Sequence, residues 1–210
     1  MVQARLLEIA IDAFGKRGLE GASTRQIAAA AGTAMSSITY HYGGKEGLYL
    51  AAADHIASRM AESLSPAMMV EIAEGDAVGA RKAVHGMLDA LLDKMIRKQT
   101  ESWSLFIVRE QMNPTAAFAR LFDGPMGQMT RSLARFVRIA AGIPDGEDSR
   151  IVAVTLFGQV LVVRASRATM LRLLEVEAID DKLAAHLRTR VRANTDAILD
   201  ALTAEAKETQ

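Results

Sequence analysis

The chain of 210 residues contains no cysteine, which removes disulfide frameworks, thiolate zinc sites and cysteine nucleophiles from consideration. Proline is scarce, with four residues, aromatics make up 5%, and no segment alternates β-branched with polar residues as a half-buried strand would. Neither sign of charge predominates: 25 Lys and Arg stand against 25 Asp and Glu, and residues 1–50 hold five basic and four acidic side chains. No basic tract announces a nucleic-acid partner, so any such binding must come from local placement. Long apolar runs are missing too. The charge-free stretch 26–44 is rich in Gly, Ser and Thr, and 151–163 is only thirteen residues long, short of a membrane span. Glu8 and Asp12 interrupt the apolar amino-terminal segment, so it does not read as a signal peptide. A cytoplasmic protein without membrane contact is expected.

Catalytic signatures are also lacking. His41, His55, His85 and His186 are scattered, with no second ligand at the spacing of HExxH. Neither GxGxxG nor GxxxxGK[ST] occurs, and Gly43-Gly44-Lys45 has no strand before it to make a phosphate loop. Asp180-Asp181 reads as an acidic helix amino terminus. No catalytic residue, metal or cofactor is expected, and the chain does not read as an enzyme.

What is present is helix-forming: half of the residues are hydrophobic, mostly Ala, Leu, Ile, Val and Met. Leu7, Ala10, Ile11 and Phe14 place one apolar face on a helix over 4–17, ended by Gly18 and Gly21. Ser23 or Thr24 caps a short helix to Ala31, and Gly32 stops it. A second short helix covers 35–42, before Gly43-Gly44. A longer one runs over 45–64 with Tyr49, Ala53, Ile56, Met60 and Leu64 on one face, closed by Ser65-Pro66. Further helices are expected over 78–97 and 102–112. The next is capped by Asn113 with Pro114 in its first turn and runs to Phe122; another runs from Gly124-Pro125 to 141, and two long ones cover 148–174 and 180–204. The fold class is therefore all-α. A three-helix amino-terminal bundle (1–46) precedes a larger helical domain (47–210), joined by the helix 47–64.

Two short helices across a tight glycine turn suit a helix-turn-helix, whose second helix presents its early residues to base edges. With Ile38 and Tyr42 facing inward, Ser36, Ser37, Thr39, Tyr40 and His41 form a nearly uncharged outer face. The run RLLEIAIDAFGKRGLEGASTRQIAAAAGTAMSSITYHYGGKEGLY resembles the DNA-binding domain of the TetR family of bacterial transcription regulators. Its pieces AFGKRGLEGAST, TRQIAAAAG and ITYHYGGKEGLY stand in register, and the likeness covers about residues 6–56. The resemblance implies that Thr24 and Arg25 hold phosphates, that Ser36, Ser37, Thr39, Tyr40 and His41 reach the groove, and that Lys45 contacts a phosphate. Three positions depart from the family pattern: Thr39 for a frequent Tyr, Tyr42 for Phe, and Thr33-Ala34 for Val-Ser. The last moves the expected capping role to Thr33.

The pieces FIVREQMNPTAAFARLF and LFGQVLVVRASRATMLRLL resemble the CecR-like subgroup over about 105–174. In this family the larger domain binds an effector and dimerises. Trp103, Phe106, Met112, Phe118, Phe122, Met126 and Met129, with Phe136, gather large soft side chains that suit an apolar or amphipathic small molecule. Arg109, Glu110 and Gln111 supply polar contacts to such a pocket or form ion pairs. Leu183, Leu187, Val191, Asn194, Ile198 and Leu202 form a stripe on the last helix, facing Val154, Phe157, Gly158, Leu161 and Ala165. From these, Phe157, Leu161, Leu187, Val191 and Ile198 are the expected dimer contacts. The sequence reading is a ligand-responsive repressor that binds a palindromic double-stranded DNA operator as a homodimer. Its alternative is a helical small-molecule-binding or interaction protein whose helix-turn-helix no longer binds DNA.

Overall fold

The computed structural model describes residues 2–68 and 70–208, which contain helices and turns and no strand. In chain order the α-helices are α1 (Val2–Gly21), α2 (Thr24–Ala31), α3 (Met35–Tyr42), α4 (Lys45–Met68), α5 (Ala77–Ile96), α6 (Glu101–Met112), α7 (Ala116–Leu121), α8 (Gly127–Ala141), α9 (Glu147–Ala165), α10 (Arg167–Leu173) and α11 (Asp181–Glu208). A 3-10 turn, Lys98–Thr100, precedes α6, and a π turn, Phe122–Met126, joins α7 to α8. Contacts divide the chain into two units: residues 1–63 with 98–127, and 64–97 with 128–210. This division does not coincide with a boundary at residue 46, because α6 and α7 return to the first unit.

The first unit is built on α1. Leu6, Ala10, Ile11 and Phe14 are buried, and Phe14 meets Tyr49 edge-on at 4.9 Å while Tyr49 packs on Phe106 at 4.6 Å. The approach of α6 is close. A Cβ on Gly15 would stand 2.7 Å from the Ser102 carbonyl oxygen, so only glycine fits there. Ser102 Oγ donates to Asp12 Oδ1 at 2.6 Å, and Arg109 donates to the carbonyls of Gly15 and Lys16 at 3.4 and 3.3 Å. Gly18 takes a non-helical φ of 74° inside α1, where the sequence pattern ends the regular helix.

The second unit packs α5, α8, α9 and α11. Val84, Met87, Leu88, Leu91 and Leu92 of α5, Leu133, Phe136 and Val137 of α8, and Leu156, Val160 and Val163 of α9 are buried, with Val191, Thr195 and Leu199 from α11. Salt bridges run along α5 and α11: Arg81 with Asp196 at 3.0 Å and Asp200 at 2.5 Å, Asp93 with Arg188 at 2.6 Å, and Asp89 with Arg192.

Some boundaries differ from the sequence pattern. Pro66 lies inside α4, which continues to Met68; a proline in the final turn removes one hydrogen bond from an end whose carbonyls already lack donors. The side chain of Leu64 lies outside the described residues. Thr115, not Asn113, caps α7, accepting from Ala117 N–H at 3.1 Å. The expected helix 148–174 breaks at Ser166 (φ −114°, ψ 30°), where α9 and α10 bend by 78°. Neither Gly nor Pro marks that break; Arg164 beside it donates to the carbonyl of Arg97 at 2.6 Å, covering the end of α5. At the start of α11, Asp180 accepts from Leu183 N–H at 2.8 Å.

Candidate nucleic-acid interface

Ser23 caps α2 through Gln26 N–H, and Gly32 ends it in the left-handed conformation, donating its N–H to the carbonyls of Ala28 and Ala29. This closes the turn and sends the chain into α3. The capping expected of Thr33 does not occur. Ala34 is the residue before α3 and has no side-chain acceptor, while Thr33 Oγ1 donates to Ser37 Oγ at 3.1 Å. The end of α3 is set by a close approach: a Cβ on Gly47 would fall 1.6 Å from the Tyr42 carbonyl oxygen. That contact fixes how α3 leads into α4.

The inner side of α3 is Ile38, 1% exposed, with Tyr42 half-buried against the same core; burial raises the Tyr42 hydroxyl above its ordinary value. On the outer side, Ser36, Thr39 and His41 are exposed and Ser37 is half-buried, while Tyr40 is 86% exposed. The Tyr40 and His41 rings meet edge-on at 5.0 Å. On α2, Thr24 is half-buried and Arg25 exposed. Lys45 donates to the Glu20 carbonyl at 2.9 Å, and Arg17 to Gln26 Oε1 at 2.8 Å. All eight residues expected to meet DNA thus lie on α2, α3 or the first position of α4, within one unit.

Of the seven residues expected to hold a ligand, Met129 belongs to the second unit and the other six to the first. Phe106 belongs to the core through Tyr49, and Met126 is buried in the same cluster. Met112 is 74% exposed. Phe118 stacks on the exposed Phe122 at 5.6 Å, Trp103 donates to Glu8 Oε2 at 3.0 Å, and Met129 lies buried in the second unit. Arg109 and Glu110 are spent on contacts within the unit, and Gln111 donates to the Met126 sulfur at 3.4 Å. Glu110, 1% exposed, accepts from the Tyr49 hydroxyl at 2.6 Å and from Thr115 N–H at 3.0 Å. Burial first, then this carboxylate, pushes the Tyr49 hydroxyl far above its ordinary value.

Two clefts lie in the second unit: one of about 560 Å³ lined by Glu147, Arg150, Ile151, Val154 and Thr155, another of about 520 Å³ that includes Val78, Arg81, Asp200 and Lys207. On α9, Ile151, Val154 and Val162 are exposed, Val154 to 65%. Ile151 and Val162 went unnamed in the sequence reading, although both follow the helical spacing of Val154. Phe157, Leu161, Leu187 and Ile198 are half-buried, and Val191 is buried within the chain itself. Among the described residues no group of three acidic, His or Cys side chains is placed to hold a metal, and no single helix is long and apolar enough to cross a membrane.

A helix-turn-helix with an exposed, hydrogen-bonding second helix, joined to a larger helical unit, defines a sequence-reading DNA-binding protein. Comparison with known proteins agrees. Residues 6–52 match the bacterial regulatory proteins of the tetR family, and residues 80–202 match the C-terminal domain of the HTH-type transcriptional dual regulator CecR. The chain is 30% identical to CecR of Shigella flexneri over 205 residues, 94% of this chain and 91% of that one. It is 41% identical to the transcriptional repressor AcnR of Corynebacterium efficiens over 70 residues, covering 33% and 37% of the two chains. AibR, solved in complex with isovaleryl coenzyme A and operator DNA, has the same fold at a TM-score of 0.69 and 17% identity, over 91% of this chain and 96% of that one. The chain belongs to the TetR family, with a carboxy-terminal domain of the CecR type, and is a DNA-binding transcriptional regulator, not an enzyme.

Proposed function

We propose that this regulator acts in the cytoplasm as a homodimeric, effector-responsive repressor on a two-fold symmetric operator. The observation that carries the reading is the contrast across α3: Ile38 is 1% exposed beneath it and Tyr40 is 86% exposed above it. A large side chain held outward by a buried anchor on the same helix is suited to the major groove. Thr24, Arg25 and Lys45 flank it as phosphate contacts, which position the protein while base contacts specify the sequence. The exposed apolar row Ile151, Val154 and Val162 on α9 favours a two-fold interface, in which each copy offers the same patch. Phe157, Leu161, Leu187 and Ile198, half-buried in the protomer, would complete it.

An apolar or amphipathic effector would act by preferring a state in which the two recognition helices no longer match the spacing of the grooves. AibR, bound to isovaleryl coenzyme A and operator DNA, supports a link between effector and operator in this fold. The name of AcnR as a repressor supports the sign of regulation.

The test is selection of duplexes from a random DNA pool with the purified protein, followed by anisotropy titration at several salt concentrations. Sequence-selective binding that weakens with salt, and that Tyr40→Ala reduces at least about tenfold without changing the dimer mass, is the expected result. An intact dimer that enriches no sequence would instead indicate a helical protein whose reading head no longer binds DNA.

A further inference from the structure

The outer face of α3 carries a second message, which rests on its being a recognition helix. Its sequence is MSSITYHY. It contains no Arg, Lys, Asn, Gln, Asp or Glu, and these are the side chains that make paired hydrogen bonds to guanine, adenine or cytosine edges. The cations nearby belong to other elements. Arg25 lies on α2, and the Lys45 ammonium at the start of α4 rests on the Glu20 carbonyl. His41 follows Tyr40 in the last turn of α3, and its ring offers a base edge a single hydrogen bond rather than a pair.

The outward residues Met35, Ser36, Thr39 and Tyr40 are spaced to share one side of the helix. Met35 is the first helical residue and is 54% exposed. It belongs to no core cluster. An unbranched, polarisable side chain at that place can mould itself over a small apolar group. Thr39 adds a methyl group and Tyr40 a ring, while the Ser37 hydroxyl accepts from Thr33. The major groove offers one apolar recognition element, the C5 methyl of thymine.

We infer that α3 reads its half-site chiefly through thymine methyl groups, with Met35, Thr39 and Tyr40 as the residues that set this specificity. Burying one methyl group is worth about a fourfold change in affinity.

The test uses the full-length protein and the duplexes selected from a random pool. Each thymine is replaced singly by deoxyuridine, which pairs identically and lacks only the methyl. At one or more thymines in each half-site the replacement weakens binding about fourfold or more. At the thymine under Met35 that penalty shrinks in Met35→Ala, and at the thymine under residue 39 it shrinks in Thr39→Ser, which keeps the hydroxyl. The inference is overturned if every uracil duplex binds within about twofold of its parent, or if the penalties survive in both variants. A selection that enriches no sequence would instead defeat the DNA-binding reading beneath it.

Discussion

The two units hold themselves together with different materials. The first contains a dry polar cluster: Glu110 is sealed between Tyr49 and Thr115, beside the rings of Phe14, Tyr49 and Phe106. Backbone approaches at Gly15 and Gly47 leave no room for a side chain. In the second, the polar contacts between α5 and α11 are half-exposed ion pairs over an aliphatic core. Exposed pairs contribute little individually, whereas removing one partner of a buried group leaves the other unsatisfied. A reading head has to hold side chains in a fixed relation to a groove, and a dry, tightly spaced unit does so. A surface held by exchangeable ion pairs tolerates rearrangement.

If this contrast is right, Gly47→Ala has the largest effect. The added Cβ meets the Tyr42 carbonyl, so α3 and α4 must shift, and the expected loss is about 4 kcal/mol of stability. Chemical denaturation checks it; a loss below about 1 kcal/mol would mean the joint yields easily. The next effect separates folding from reading within one helix. Ile38→Ala should cost about 3 kcal/mol by leaving a cavity, while Tyr40→Ala should change stability by less than about 0.5 kcal/mol and still lose DNA affinity. Equal destabilisation by both would remove the distinction between the faces of α3.

These residues also explain what the sequence could disclose. The helices of the first unit end at glycines and capping hydroxyls within a few positions, so α2 and α3 can be read locally, and with them the places of the eight residues proposed to meet DNA. The return of α6 onto α1 depends on Gly15, Ser102 and Arg109, which are distant in sequence; the pattern singles out neither Gly15 nor Ser102, and gives Arg109 to a pocket or an ion pair. Large soft side chains do not declare whether they fill a core or line a cavity: Phe106 fills a core, and Met112 faces water. The break at Ser166 was illegible for a related reason, since its partner is the end of α5 rather than a neighbouring glycine.

The second unit offers a test of its apolar row. Val154→Glu puts a carboxylate on a side chain 65% exposed in the protomer, so folding should be unaffected. If α9 joins two copies, two charges are brought together and the dimer should weaken about a hundredfold, close to 3 kcal/mol. Sedimentation at several concentrations measures it, and an unchanged dimer would exclude Val154 from the interface. A smaller effect, about 2 kcal/mol, is expected of Arg164→Ala, which uncovers carbonyls at the end of α5. Thermal unfolding followed by circular dichroism would record it, and a shift near zero would show that water serves those carbonyls equally well.

The smallest effect concerns acid. Burial alone would raise the Asp196 carboxyl, but hydrogen bonds from His85 and Arg81, with their charges, outweigh it and hold the group below its ordinary value of 3.8. A carboxylate lowered in the folded state adds stability that is fully present above that ordinary value. The contribution is lost as pH falls through the lower, folded value. Asp196→Asn should therefore reduce stability slightly near neutral pH and flatten the decline below about pH 4. Asp12 in the first unit is lowered in the same sense: burial opposes it, and hydrogen bonds from Lys16 and Ser102 prevail. Trp103, the single tryptophan of the chain, lies in the first unit, so its fluorescence follows that unit while circular dichroism follows both. Asp196→Asn should alter the acid limb seen by circular dichroism and leave the fluorescence limb in place, and Asp12→Asn should move the fluorescence limb. If Asp196→Asn moved the fluorescence limb as well, the two units would unfold as one, and the difference in their construction would have no consequence for how they come apart.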